Sequence, residues 1–318
     1  ERILAGRIMT KRSFGKLSFF TLQDISGVIQ IIVQKGKSPE EVVSTFKKID
    51  SGDVVGVRGG VVKTKNGELS LLANEISILT KSILPLPDKH KGLKGAEEKL
   101  RKRYLDIIMD PEVKELFIKK QKFWSSFRNF LVKRGFLEVE TPILEISAGG
   151  ASATPFSTHH NALDIDVFLR ISMGELWQKK LLVAGYEKTF EIGRQFRNEG
   201  MDAEHLQDYT QLEFYWGYVG FKEGMKLVEG MYKEVVQNTI GSLKFKSGGH
   251  SIDLGKKWEV YDFETLIKEK TGADIYNSSE DDLRKKLDEL RVAYEDSQNK
   301  WRLVDLLWKY CRKDLSGP

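Results

Sequence analysis

The chain has 318 residues, 40% hydrophobic and 31% charged, a composition of globular rather than disordered protein. Two domains are the default at this length, and no apolar run approaches the roughly 20 residues of a membrane-spanning helix. The single cysteine, Cys311, excludes an internal disulfide or a cysteine metal cluster and fits a reducing compartment, so the expected location is cytoplasmic, with no membrane partner.

Net charge is +5, but the basic residues are unevenly spread. Residues 1–80 hold 12 Lys/Arg against 8 Asp/Glu, with Arg2, Arg7, Lys11, Arg12 and Lys16 crowded at the start. A second cluster is Lys99-Leu100-Arg101-Lys102-Arg103. Both fit ordinary solvated surface or a polyanion partner; composition alone does not choose.

The first 80 residues read as strands. The run 28–33 alternates, 53–62 is rich in valine and glycine, and Asn66-Gly67 signals a tight hairpin into 69–72. After the third strand, Ser38-Pro39-Glu40-Glu41 places a cap, a first-turn proline and two acids ahead of Val42, Val43 and Phe46, predicting one short helix. Five strands with that helix suggest an OB-type barrel; an SH3-like or other small barrel fits the pattern too. Parity puts Phe20 and Leu22 inside and Phe19 with Thr21 outside, and Gln30 alternates with Ile29 and Ile31. An outward Phe19 beside Lys11, Arg12 and Gln30 suits base stacking, although a single exposed aromatic is also commonplace.

Pro85, Pro87, Gly92 and Gly95 make 81–110 a linker without regular elements. Asp110-Pro111-Glu112 starts a helix carrying Val113, Leu116, Phe117, Trp124, Phe127 and Leu131 at helical spacing, and Gly135 ends it. A strand over 136–143, with Pro142 near its end, suits an edge or an interface. A helix over 175–184 precedes strands over 189–198 and 209–219, and helices over 263–270, 281–290 and 301–312 follow Trp258. The second domain is thus mixed α+β.

The two strands 189–198 and 209–219 hold the chemistry. Alternation gives one largely apolar face with Phe190, Ile192, Phe196, Leu212, Phe214 and Trp216, which Arg194 shares. The other face collects Glu191, Gly193, Gln195, Arg197 and Glu199 from the first strand and Tyr209, Gln211, Glu213 and Tyr215 from the second. A solvated sheet face shows similar polarity, but the loop 200–208, with His205, is long for a plain hairpin.

At these residues the chain resembles the class II aminoacyl-tRNA synthetases. Phe196-Arg197-Asn198-Glu199-Gly200, His205 and Glu213-Phe214-Tyr215 look like their second signature motif, and Gly135-Phe136-Leu137-Glu138-Val139-Glu140-Thr141-Pro142 like the first, which builds a dimer interface. Arg103-Tyr104-Leu105-Asp106 is similar to the segment before it. The run from Ala153 to Asp164, and Leu169-Arg170-Ile171-Ser172 before Glu175-Leu176, look like lysyl enzymes more than their aspartyl and asparaginyl relatives.

The resemblance implies an α+β chain: an OB-fold anticodon-binding domain over 1–80, a linker over 81–110, and a class II antiparallel-sheet catalytic domain over 111–318. It implies a lysine–tRNA ligase that activates lysine with ATP to lysyl-adenylate, releasing pyrophosphate, and transfers the lysyl group to tRNA(Lys), working as a homodimer through 111–143. Arg197 matches the catalytic α-phosphate clamp, Glu199 the acceptor of the adenine amino group, Tyr209 the ring stacked on adenine and His205 a group near the outer phosphates. Gly150, Glu175, Glu213 and Tyr215 match the lysine pocket. Phe19, Gln30 and Glu68 match anticodon contacts, with Lys11 or Arg12 on the RNA backbone or an adjacent base.

The sequence departs from the family in three places. Leu206-Gln207 stand where many members have Asn-Pro, removing an asparagine side-chain contact to adenine. Met173-Gly174 puts one more residue before Glu175 than in many relatives. No glycine-rich segment ending in arginine, the third motif, is found, and the acidic ligands of magnesium also lie late in the family, so no metal ligand is expected here. With Glu1 in place of methionine and an end at Ser316-Gly317-Pro318, the chain reads as an inactive fragment of a longer parent. The alternatives are an aspartyl- or asparaginyl-type ligase and a non-catalytic tRNA-binding protein.

Overall fold

The computed structural model describes residues 1–87, 92–202 and 205–315. The chain divides into two compact units, Glu1–Glu115 and Leu116–Pro318.

In the first unit, β1 (Arg2–Phe14), β2 (Leu17–Gln23), β3 (Val28–Gln34), β4 (Val54–Lys63) and β5 (Leu69–Thr80) form a closed barrel in the order β1-β2-β3-β5-β4, with α1 (Glu40–Lys48) after the third strand. β4 pairs with β1 to complete the ring, which leaves no open edge within it. Register shifts at Ile8/Thr10 and Arg58/Gly59 bend the long strands. Gly59 is required there, because a Cβ would run into the carbonyl oxygen of Leu72.

Inward residues of alternate strand positions, among them Ile8, Phe20, Leu22, Ile31, Val55, Val57 and Leu71, make the core, and Val42 and Phe46 of α1 pack into it. Ser38 does not cap α1: its hydroxyl accepts the Gln34 amide, and Pro39 occupies the cap position. The segment expected as an irregular linker contains α2 (Ala96–Arg101) and α3 (Arg103–Met109). Glycines flanking these helices masked short runs of good helix formers.

In the second unit, α4 (Pro111–Val132) continues from the first, and the anticipated strand over 136–143 shrinks to β6 (Leu137–Glu138). There follow β7 (Leu144–Glu145), β8 (Ser157–His160), β9 (Ile165–Leu169), α5 (Glu175–Val183), β10 (Lys188–Phe196) and β11 (Asp208–Trp216). One sheet has the order β11-β10-β6, with β10 and β11 antiparallel and β6 parallel to β10; another has the order β7-β9-β8. Helix α6 (Phe221–Ile240) and α4 cover the apolar face of the first sheet, burying Phe127, Phe130, Leu131, Phe136, Phe190, Leu227 and Met231 together. That leaves the opposite face free to be polar.

A small hairpin, β12 (Lys244–Ser247) with β13 (His250–Asp253), leads to α7 (Phe263–Thr271), α8 (Glu280–Glu289) and α9 (Lys300–Cys311). These three helices share a core of Ile267, Leu283, Leu287, Leu303, Leu307 and Cys311, and Asp262, Ser279 and Asn299 cap them. Among the described residues no helix is long and apolar enough to cross a membrane.

Candidate functional site

The polar face of β10 and β11 is aligned by register: Thr189 faces Tyr215, Glu191 faces Glu213, Gly193 faces Gln211, and Gln195 faces Tyr209. Side chains of such pairs are neighbours across the sheet, so charged groups distant in sequence meet. Two subsites result, one at each end of the hairpin face.

The first subsite gathers carboxylates. Glu213 accepts the Met173 amide at 3.2 Å and the Gln211 side-chain amide at 2.8 Å, and among the described residues it makes no ion pair. Burial pushes its carboxyl above the usual range, and Glu175 and Glu191 add to the effect against the Met173 hydrogen bond. Burial, then Glu213 and Glu175, pushes the Tyr215 phenol up to about 12. Glu175 opens α5 and pairs with Lys179 at 2.6 Å. Gly150, at φ 84°, lies against it: a Cβ there would stand 3.0 Å from Glu175 Oε2 and 2.5 Å from Ser172 Oγ. Gly150, Glu175, Glu213 and Tyr215 are therefore brought together.

Beneath this subsite runs a buried guanidinium whose partners the sequence reading did not identify. Arg170, at the end of β9, donates to Glu191 Oε1 at 2.6 Å, to the Thr141 carbonyl at 3.2 Å and to the Arg194 carbonyl at 2.8 Å. Thr141 Oγ1 donates to the other oxygen of Glu191 at 2.6 Å. Gln178 of α5 is fully buried, accepting from Thr189 and donating to the Met173 carbonyl. A signal for the guanidinium was present: Gly193 interrupts the polar side chains of its face, and a glycine inside a strand marks a close approach.

The second subsite is a cavity of about 330 Å³ lined by Arg197, Glu199, Gly200, His205, Leu206, Gln207 and Tyr209. Arg197 Nε donates to the Ile171 carbonyl at 3.2 Å, and its guanidinium lies 5.9 Å from the centre of the Tyr209 ring. Glu199 Oε1 is 3.4 Å from the Thr154 amide. His205 is exposed and its Nδ1 is bonded to Asp202. All four residues expected to surround a nucleotide line one cavity; of the loop 200–208, residues 203 and 204 lie outside the described residues. Among the described residues no group of three or more His, Cys, Asp or Glu side chains is placed to hold a metal ion.

On the barrel, Arg12 faces Phe19 and Thr21 faces Gln30 across the strands, which puts these four on one outer face. Arg12 donates to Gln30 Oε1 at 3.3 Å and lies 5.7 Å from the Phe19 ring centre. Two expectations are corrected. Lys11 faces Phe20, so it belongs to the other side; its ammonium donates to the Ile49 carbonyl at 2.5 Å and lies over the Phe46 ring. Gln30 is buried, because Arg12 covers it and Ser70 takes its amide at 3.0 Å. Ser70 donates in turn to the Glu68 carbonyl, linking Gln30 to the exposed Glu68. Phe14, 65% exposed and edge-on to Phe19 at 6.3 Å, extends this face and was missed, though it follows Arg12 at the period-two spacing.

Comparison with known proteins fits this geometry. Residues 95–304 match the family of tRNA synthetases class II (D, K and N), and residues 3–79 match the OB-fold nucleic acid binding domain. A lysine–tRNA ligase of Halalkalibacterium halodurans is 45% identical over 282 residues, 89% of this chain and 56% of that protein. Those of Shouchella clausii, 45% over 279 residues, and Bacillus cereus, 43% over 303 residues, cover 88% and 95% of this chain and 55% and 60% of their own lengths. The chain thus spans somewhat more than half the length of the curated relatives it matches.

Proposed function

This chain belongs to the class II tRNA synthetases (D, K and N), and we propose from that premise that it is the anticodon-reading and substrate-binding part of a lysine–tRNA ligase. The observation that supports lysine is the unneutralised carboxylate of Glu213. Glu191 is matched by Arg170 and Glu175 by Lys179, whereas among the described residues Glu213 receives only uncharged donors, in a half-buried setting. A desolvated carboxylate favours a cationic partner, and the side-chain ammonium of lysine supplies one. Aspartate or asparagine would leave Glu213 unpaired or repelled.

In this reading a carboxylate oxygen of lysine attacks the α-phosphorus of ATP. An O–P bond forms, the bond to the bridging oxygen of the β-phosphate breaks, and pyrophosphate leaves with that electron pair. The 3′-terminal hydroxyl of tRNA then attacks the acyl carbon, and AMP departs. Substrate supplies the nucleophile, so the protein's work is placement and charge stabilisation. Arg197 holds the α-phosphate with a planar fork of donors, Tyr209 stacks on adenine, Glu199 accepts its amino group, and His205 lies at the outer phosphates. Gly150 and Glu175 hold the α-amino end; Glu213 and Tyr215 hold the side chain.

Magnesium accompanies ATP in this reading and neutralises charge on its phosphates. Arg12, Phe19 and Glu68 on the barrel face meet the anticodon of tRNA(Lys), with Gln30 holding Arg12 from beneath. Exposed Leu116, Phe117, Leu137 and Ile143 support a homodimer through 111–143, and cytoplasm is the expected location. The test is ATP–pyrophosphate exchange by the full-length protein with lysine, aspartate or asparagine. Exchange with lysine alone is expected; exchange driven by aspartate or asparagine would refute the assignment.

A further inference from the structure

Gln195 is fully buried on the active face of β10, between Gly193 and Arg197, yet among the described residues its Nε2 has no hydrogen-bond partner. Its Oε1 accepts the hydroxyl of Tyr209 at 3.4 Å, and the two residues face each other in register. A buried donor left unpaired costs stability, and a methionine of similar length would fill the same space without that cost. Buried polar groups of this kind persist where function uses the other end of the group. The used end here is the bond to Tyr209, whose ring also lines the nucleotide cavity and sits 5.9 Å from the Arg197 guanidinium.

We propose that Gln195 is a positioning residue for the nucleotide: by holding the Tyr209 hydroxyl it anchors the far end of the ring that adenine stacks on. The inference rests on the nucleotide reading of this cavity. The ring has two contacts, Arg197 toward its face and Gln195 at its hydroxyl, and the second limits where the side chain can swing.

The experiment is a double-mutant cycle in the full-length protein with Gln195→Met and Tyr209→Phe, reading KM for ATP, KM for lysine, kcat and thermal midpoint. Each single variant should raise KM for ATP, by roughly tenfold at most for one net hydrogen bond. The double variant should be no worse than the weaker single one, because both remove the same bond. KM for lysine should be unmoved, and the midpoint of Gln195→Met should equal or exceed that of the parent. A purely structural Gln195 would instead lower the midpoint and leave KM for ATP unchanged, which overturns the inference, as would additive effects in the cycle. If Gln195→Met fails to fold, Tyr209→Phe removes the same bond from the half-exposed side, and its unchanged KM for ATP overturns the proposal. Absence of ATP-dependent exchange in the parent protein refutes the nucleotide reading itself, an outcome distinct from normal exchange in Gln195→Met.

Discussion

Arg170 Nη1 lies 2.6 Å from Glu191 Oε1, both side chains buried, and the space for that guanidinium exists because residue 193 is glycine. A Cβ at Gly193 would stand 2.5 Å from Arg170 Nη2, 3.1 Å from Met173 Sδ and 3.2 Å from Glu191 Oε1. Gly193→Ala should therefore destabilise by overpacking, on the order of 1–3 kcal/mol. It should also raise KM for lysine, since Met173 donates to Glu213. Thermal melting with steady-state kinetics checks both; a variant with the parent's midpoint would show that the pair relaxes without cost.

Glu213→Gln in the full-length protein should weaken lysine-dependent pyrophosphate exchange far more than ATP binding. Loss of the charge partner of a desolvated ammonium costs about 2–4 kcal/mol. The carboxyl is held above its ordinary value of 4.5 by burial, so protonation should begin to weaken lysine binding at a higher pH than for an exposed glutamate. KM for lysine should rise as pH falls through that raised value, and the rise should vanish in Glu213→Gln. An unaltered lysine dependence would remove Glu213 from the pocket.

Arg197→Lys keeps the charge and loses the planar fork, so adenylate formation should fall steeply, by about 10²-fold or more, while folding persists. Single-turnover measurement of adenylate with circular dichroism of the same sample separates the two effects. Near-normal turnover would mean that the α-phosphate is held elsewhere.

Phe19→Ala should weaken binding of an anticodon stem-loop with central uridine by roughly 1–3 kcal/mol, the contribution of one stacked base. Arg12→Ala should reduce the salt slope of binding by about one. Lys11→Ala should leave that slope unchanged and lower barrel stability, since its ammonium is bonded to the Ile49 carbonyl. Titrations with each of the four bases at the central position check the set; equal affinity for all, untouched by Phe19→Ala, would leave only a general basic surface.

Glu145 on β7 has a buried carboxylate oxygen, Oε2, without a hydrogen-bond partner among the described residues, and burial raises its pKa above the ordinary 4.5 against the pull of Arg170 and Lys180. The folded state binds the proton more tightly than the unfolded one, so stability is lost as pH rises from 4.5 through the raised value. Glu145→Gln should flatten that part of the stability–pH curve and raise the midpoint at neutral pH. Denaturant titrations at pH 4 to 8 test the sign, and an identical slope in the variant would place the titration elsewhere.

Alternation along 190–197 and 209–215 identified both faces of the hairpin because strand side chains repeat every two residues whatever they pack against. The order and spacing of Arg197, Glu199, His205 and Glu213 were likewise visible without coordinates. Helix α6 was not anticipated: Gly224 and Gly230 dilute its helical signal, and it is held by burial against the sheet. Parity could say that Lys11 and Arg12 point to opposite sides, but the pairing of Lys11 with Phe20 decided which joins Phe19. The Arg170–Glu191 pair, the open valence of Gln195 and the lone charge of Glu213 are likewise properties of tertiary structure. A residue's own chemistry fixes what it can bond, whereas its burial and partners depend on segments 20 to 50 residues away, which only folding brings into contact.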